Sequence, residues 1–305
     1  VRDPYPIGTP SKPWTAEDRA TWRSKRRVQR SYQDEVLEKL EALEAPFELH
    51  RYGALSIDPA RYPVFAVHGP RVAGAPWALV TGGVHGYETS GVQGALRFLG
   101  EVAERYVRRV NLVVAPCVSP WGYEVIHRWN PDAVDPNRSF VAGSPAQECS
   151  ALMRHVQELD AEFALHIDLH ETTDTDESEF RPALAARDGK VFEPGHIPDG
   201  FYLVGDSARP EPAFQKTIIE AVASVTHIAP ADPDGKLIGC DILQPGVIEY
   251  PCRELGLCPS LTNARFVTTT EVYPDSPNAT PDQCNAAQVT AVRAALEHML
   301  GHIDA

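Results

Sequence analysis

The chain has 305 residues, 43% of them hydrophobic, which is enough to bury a sizeable core in one large α/β domain or two small ones. Its 42 acidic and 28 basic residues give a formal net charge of -14, and this argues against a nucleic-acid partner, since phosphate recognition relies on clustered Lys and Arg. No run approaches the roughly 18 apolar residues of a membrane span, and the N-terminus lacks the apolar centre of a secretory signal.

Residues 1–30 read as an N-terminal arm, Pro-rich at first ("VRDPYPIGTPSKPW") and then basic ("RSKRRVQR", 23–30). The acidic, helix-patterned segment that follows assigns the basic run to a solvated helix entrance. A helix is expected near 31–43, where Val36, Leu37, Leu40 and Leu43 recur at helical spacing. "YPVFAVHG", "WALVTGG", "VNLVVAP", "FALHIDL" and "GVIEY" read as strands, and their near-continuous apolar character suits a sheet covered on both faces. "TSGVQGALRFLGEVAERYV" places Val92, Leu96, Leu99, Val102 and Tyr106 on one side of a helix. "SPAQ" (144–147) and "TPDQ" (280–283) carry the marks of capping boxes and predict helices near 145–159 and 281–300, the second stopping at Gly301. Residues 171–212, rich in acids, Pro and Gly, read as a long loop near the active site. Strands alternating with helices along the whole length predict a single α/β domain spanning 1–305. Its central sheet is mixed but mainly parallel, with helices on both faces and its site at the carboxyl ends of the strands.

"GGVHGYETSG" (82–91) puts His85 and Glu88 three apart in a glycine-rich turn directly after a buried-type strand. H-x-x-E alone is weak. His155 and Glu158 share the spacing, but on an amphipathic helix, where they read as an exposed face. A zinc ion that also binds substrate wants three protein ligands and an open position, often two His and one Glu. The third ligand is sought in "ALHIDLHETT" (164–173), where His166, Asp168 and His170 alternate onto one strand face. His170, nearest the strand end, is the best placed; His166 reads as a satisfied core histidine and Asp168 as a supporting partner. "VSPWGYEVIHRWNPDAVDPNRSF" (118–140) supplies Arg128, Asn137 and Arg138, and "GVIEYPC" presents Glu249 late in a strand. A carboxylate beside a metal can take a proton from water, and arginines can hold a substrate carboxylate or a developing oxyanion.

In that order the residues resemble the zinc carboxypeptidase family and its relatives, the aspartoacylase and succinylglutamate desuccinylase group, over about residues 77–252. The resemblance implies that His85, Glu88 and His170 bind one Zn²⁺ per chain and that Glu249 acts as general base and then acid. It also implies that Asn137 and Arg138 grip a free substrate carboxylate, that Arg128 polarises the scissile carbonyl, and that Asp135 orients His85. "DLHETT" looks like the deacylase branch. The short stretch after Glu249 looks like the carboxypeptidases, since the deacylases carry an extra β-rich domain there. Neither Tyr202 nor Tyr250 can be matched to the tyrosine that closes over substrate in carboxypeptidases.

The implied activity is hydrolysis of an amide beside a free carboxylate, as a metallocarboxypeptidase acting on small peptides. The alternatives are an N-acyl amino acid deacylase and an inactive, zinc-stabilised binding domain. The six cysteines are scattered with no C-x-x-C pair and predict a reduced, cytoplasmic setting, although a start at Val1 is compatible with a removed N-terminal signal. Asp174, Asp176, Glu177 and Glu179 read as a solvated acidic loop in preference to a pocket for a cationic substrate. Asp232, Asp234 and Asp241 fall where the resembling family lines its specificity pocket, but none is singled out as its floor.

Overall fold

The computed structural model describes residues 5–303; residues 1–4, the start of the Pro-rich arm, and 304–305 lie outside the described residues. In chain order the elements are α1 (Ala16–Ser24), α2 (Glu38–Glu41), β1 (Glu48–Ala54), β2 (Pro63–His68), β3 (Trp77–Gly82), α3 (Thr89–Glu101), β4 (Asn111–Ala115), α4 (Pro120–Val125) and α5 (Gln147–Glu158). They continue with β5 (Phe163–Glu171), α6 (Arg181–Arg187), β6 (Tyr202–Asp206), α7 (Pro212–Val222), β7 (Lys236–Leu237), β8 (Cys240–Asp241), β9 (Val247–Tyr250), β10 (Phe266–Val272) and α8 (Pro281–Ile303).

Eight strands form one sheet in the order β1-β2-β4-β3-β5-β10-β6-β9. The pairs β3/β4, β3/β5, β5/β10 and β6/β9 are parallel, while β1/β2, β2/β4 and β6/β10 are antiparallel. The sheet is therefore mixed, with β4-β3-β5-β10 a parallel block at its centre and one further parallel pair, β6/β9, at an edge. Leu165, Ile167 and Leu169 of β5 join α3 and α8 in one core layer, and Leu79, Val113 and Ala115 pack with Leu152 and Val156 of α5 on the other face. Coverage on both faces is why β3 and β4 have no polar side by composition, whereas β5 turns His166, Asp168 and His170 to one face. Among the described residues, no helix is long and apolar enough to cross a membrane.

Several local expectations change. β1, β6 and β10 were not anticipated, nor was α1. The helix expected near 31–43 is a π-turn at Gln33–Leu37 running into α2. At "TPDQ" the box forms: Thr280 Oγ1 accepts from the Gln283 N–H at 3.2 Å and Gln283 Oε1 from the Thr280 N–H at 3.0 Å. At "SPAQ" it does not. There α5 starts at Gln147 with Ala146 as its N-cap, and Ser144 Oγ accepts from the Ala146 N–H instead. The last helix runs past Gly301 to Ile303.

The segment 171–212 is not a bare loop, since it holds a π-turn at Asp176–Phe180, then α6 and β6. Its acids are engaged: Glu177 with Arg181 and the Gly195 N–H, Glu179 with Arg26 and the Tyr5 hydroxyl, Asp174 with the Tyr273 hydroxyl. The basic run is also less solvated than its composition implies. Arg30 stacks 3.5 Å over the Tyr123 ring and donates to the carbonyl oxygens of Tyr123 and Gly86 and to Thr89 Oγ1, bracing the turn that carries His85.

Candidate metal centre and cleft

The turn after β3 is built around close backbone approaches. Gly83 has φ +59°, and a Cβ on Gly86 would lie 2.1 Å from the Tyr123 nitrogen, so no larger residue fits. This compression turns His85 and Glu88 inward, where both are 1% exposed. The imidazole and carboxylate atoms of His85, Glu88 and His170 lie within 4.8 Å of one another. His85 Nδ1 is 2.8 Å from Glu88 Oε1, and His170 Nδ1 is 2.7 Å from Glu88 Oε2.

Each imidazole is held from behind by a carboxylate: His85 Nε2 by Asp135 Oδ1 at 2.9 Å and His170 Nε2 by Asp168 Oδ2 at 2.6 Å. Such partners fix the ring orientation and leave the other nitrogen for a metal. Asp168 also accepts from Thr81 Oγ1 (2.6 Å), and Gln288 of α8 donates to the His170 carbonyl oxygen at 2.9 Å. His166 is fully buried, contacts Thr81 Oγ1 at 3.1 Å, and is pushed by burial down to about 4, as befits a neutral core imidazole.

The donor set suits a divalent cation. Glu88 Oε2 is buried and makes no hydrogen bond of acceptable geometry despite its closeness to His170. Burial opposes charge on these groups, yet His170 and His85 hold Glu88 down to about 2, while Asp168 and Glu88 lift His170 well above the usual imidazole range. Without a metal, these carboxylates favour the protonated form of His170 beside the Glu88 carboxylate. Two imidazoles and a carboxylate converging on one position are a ligand set typical of catalytic zinc.

A cleft of about 470 Å³ opens beside this cluster, lined in part by His85, Arg128, Asn137, Arg138, Tyr202, Tyr250 and Glu271. Arg128 pairs with Asp135 at 3.2 Å and with Asp176 at 3.5 Å, and lies 4.2 Å over the Phe180 ring. Burial alone would raise Asp135, but Arg128 and His85 keep it well below the carboxylate range. Asn137 follows from its neighbours: its N–H donates to Asp135 Oδ1 at 2.9 Å and its Oδ1 accepts from the Cys258 N–H at 2.8 Å. Arg138 is exposed at the cleft wall.

Glu249 is not part of the cleft. On β9 it lies against Gly205 and Asp206 of β6, while the next residue, Tyr250, faces the cleft as strand alternation requires. The carboxyl that does arrive is Glu271. β10 pairs in parallel with β5 so that Glu271 stands directly opposite His170. Thr172 Oγ1 donates to Glu271 Oε2 at 2.9 Å, and Thr172 Oγ1 is 2.7 Å from the Tyr202 hydroxyl. Burial pushes Glu271 up to about 8, with the nearby Glu88 charge adding to it and His170 opposing.

Two more acids line the cleft: Glu171, which the sequence did not single out, and Asp176, which it assigned to a solvated acidic loop. Glu171 accepts from the Thr89 and Ser90 N–H groups (3.0 and 2.6 Å) at the start of α3, and burial raises it to about 7. Asp176 receives the Tyr87 hydroxyl at 3.0 Å, tying Arg128 to the ligand turn. A signal for Glu271 was present: "FVTTTEV" is a β-branched run ending in an acid just before the final helix.

Residues 75–190 match the family described as succinylglutamate desuccinylase/aspartoacylase catalytic domain. The fold is shared with a Shewanella amazonensis SB2B protein assigned to the metallopeptidases, at TM-score 0.65 and 21% identity over 90% of this chain and 99% of that one. It is shared also with a metallo-carboxypeptidase from Burkholderia cenocepacia (0.58, 16%, covering 96% and 70%) and with carboxypeptidase A from Helicoverpa armigera (0.60, 13%, covering 90% and 74%). No protein with curated annotation matches the chain. The chain thus has the α/β fold of these metallopeptidase and carboxypeptidase structures, and its residues 75–190 are similar to the desuccinylase/aspartoacylase catalytic domain.

Proposed function

We propose that this protein is a zinc-dependent metallocarboxypeptidase that removes C-terminal residues from small peptides, with Glu271 rather than Glu249 as its proton-transfer group. His85, Glu88 and His170 would hold the ion. Bound there, zinc would polarise the scissile carbonyl and acidify water. Glu271 takes a proton from the attacking water and delivers it to the leaving nitrogen as the C–N bond breaks. Arg128, fixed by Asp135 and Asp176, stabilises negative charge on the carbonyl oxygen. Arg138 and Asn137 receive the substrate's terminal carboxylate. The six cysteines are all unpaired, which supports a reducing, cytoplasmic setting.

The observation that carries this reading is the half-buried Glu271 carboxyl beside His170, in a cleft that also presents Arg128, Asn137 and Arg138. A second reading, deacylation of N-acyl amino acids, is favoured by the family match, which includes "DLHETT". The zinc-loaded protein is to be assayed on N-blocked dipeptides, on their C-terminal amides, and on N-acyl amino acids. Cleavage of free-acid dipeptides alone supports the carboxypeptidase. Turnover confined to N-acyl amino acids overturns it, and a zinc-loaded protein inert on every substrate points to a binding domain.

A further inference from the structure

A second group of imidazoles lies outside the cleft, at the β1/β2 edge of the sheet. β1 and β2 pair antiparallel with Glu48 opposite His68, and strand alternation puts Glu48, His50 and Tyr52 on the face covered by α5. From that helix His155 reaches down until its Nε2 is 2.9 Å from His68 Nε2. The His50 ring stacks on His68 at 4.1 Å, and the Tyr52 ring stacks on His155 at 5.4 Å. None of these residues lines the catalytic cleft. His155, expected on an exposed helix face, is in fact half-buried against the hairpin.

The spacing of the two nitrogens is informative. Imidazole nitrogens bind a first-row ion at about 2.0–2.1 Å, so two of them at right angles around one ion stand about 2.9 Å apart, and at a tetrahedral angle about 3.3 Å apart. The observed 2.9 Å is the length of a hydrogen bond between the two rings, and it already holds the nitrogens at the spacing of adjacent corners of a tetragonal shell, the geometry of Cu²⁺, which also binds such nitrogens most tightly among the divalent ions. We propose that His68 and His155 form a second metal site, a two-imidazole chelate for Cu²⁺ that pins the β1–β2 hairpin to α5.

Both donors are available near neutral pH. Burial and the neighbouring imidazoles push His68 down to about 3, and burial with His50 lowers His155 too, so both rings stay neutral, and the one hydrogen shared between the two Nε2 atoms passes to an Nδ1 by tautomeric exchange when an ion takes its place. His50 does not complete the shell. Its Nε2 is turned to Glu48 Oε2 at 3.4 Å, and among the described residues no third side-chain ligand closes on the pair. The remaining positions fall to solvent, which suits a tetragonal ion.

The test uses the zinc-loaded protein exposed to a small excess of Cu²⁺, passed through gel filtration, and analysed for both metals and by electron paramagnetic resonance. Wild type is expected to retain about one Cu²⁺ per chain with its zinc undiminished, and to show an axial signal split by nitrogen. His68→Ala and His155→Ala, on separate elements, should each retain none while keeping zinc content and hydrolytic rate. His50→Ala should retain copper. The site is refuted if wild type emerges without copper, if copper uptake equals zinc loss, or if His68→Ala binds as much as wild type. The comparison between wild type and His68→Ala reads this site whether or not the cleft holds zinc.

Discussion

Exchanging the carboxyl of Glu271 for an amide separates its chemical role from its structural cost. Glu271→Gln keeps the shape, and its amide oxygen can still accept the Thr172 hydroxyl. If Glu271 transfers the proton, turnover should fall by about 10²–10⁴-fold. Stability should move the other way. The folded carboxyl sits at about 8 against an ordinary 4.5, because burial disfavours its charge. A group raised in this way contributes its full stability below pH 4.5 and loses it as pH climbs through 8. At pH 7 the metal-free native state must keep the group protonated, at a cost relative to the unfolded chain. The difference of about 2.5 pH units corresponds to at most about 3 kcal/mol that the amide avoids. With an unfolding entropy near 2.1 cal/mol/K per residue, 305 residues convert 3 kcal/mol into a rise of about 5 °C in Tm. Calorimetry of the metal-free variant at pH 4 and pH 7, beside steady-state kinetics of the zinc form, reads both effects. The rise should be present at pH 7 and absent at pH 4. Glu249→Gln, by contrast, should remain within a few-fold of wild-type turnover. Full activity in Glu271→Gln, or loss of activity in Glu249→Gln with a normal melting curve, would refute the assignment.

Asp168→Asn removes the carboxylate behind His170 and should weaken zinc binding by about 10–100-fold, measured by competition with a chelator; unchanged affinity would deny Asp168 that role. Zinc binding near pH 7 should release protons, because His170 is held protonated between two carboxylates and Glu271 lies near 8. Calorimetric titrations in buffers of different ionisation enthalpy give the number, and zero would contradict the arrangement. Glu148, 1% exposed with Oε1 unpaired, is pushed by burial up to about 7. The wild type should therefore lose stability as pH rises from about 4.5 through 7, and Glu148→Gln should gain up to about 3 kcal/mol in urea unfolding at pH 8 with none at pH 4.

The strands that the sequence made legible are the ones buried on both faces. "WALVTGG" could be found because coverage by helices leaves it almost no polar positions, and in "FALHIDLH" the alternation of Leu165, Ile167 and Leu169 with His166, Asp168 and His170 already separated core from site. β10 escaped because "FVTTTEV" is mostly threonine. Thr268 and Thr270 satisfy buried Gln215 and Gln288 across the sheet, an arrangement that apolar patterning does not register. With β10 unseen, Glu249 was the only late strand carboxyl on offer. The pleat decides against it: an acid one position from Tyr250 cannot share the cleft with Tyr250. Composition of the 171–212 segment misled for a related reason, since Glu179 and Asp176 meet Arg26 and Arg128 from distant positions and Glu177 meets Arg181 one helical turn on.

The buried acids at the site have a common physical consequence. Glu88, Asp135, Asp168, Glu171 and Asp176, with the half-buried Glu271, surround two imidazoles; Arg128 is tied directly into the group and Arg138 stands at its exposed edge. Groups with close cationic partners, such as Asp135 and Glu88, stay charged; those left over, Glu171 and Glu271, are driven toward protonation. Such a site carries more negative charge than its own cations balance, and a divalent ion at His85, Glu88 and His170 supplies the balance. The same ion would draw Glu271 back toward its charged form, the form in which it can accept a proton. The acid excess that costs stability in the metal-free protein is thus what couples metal binding to readiness of the general base.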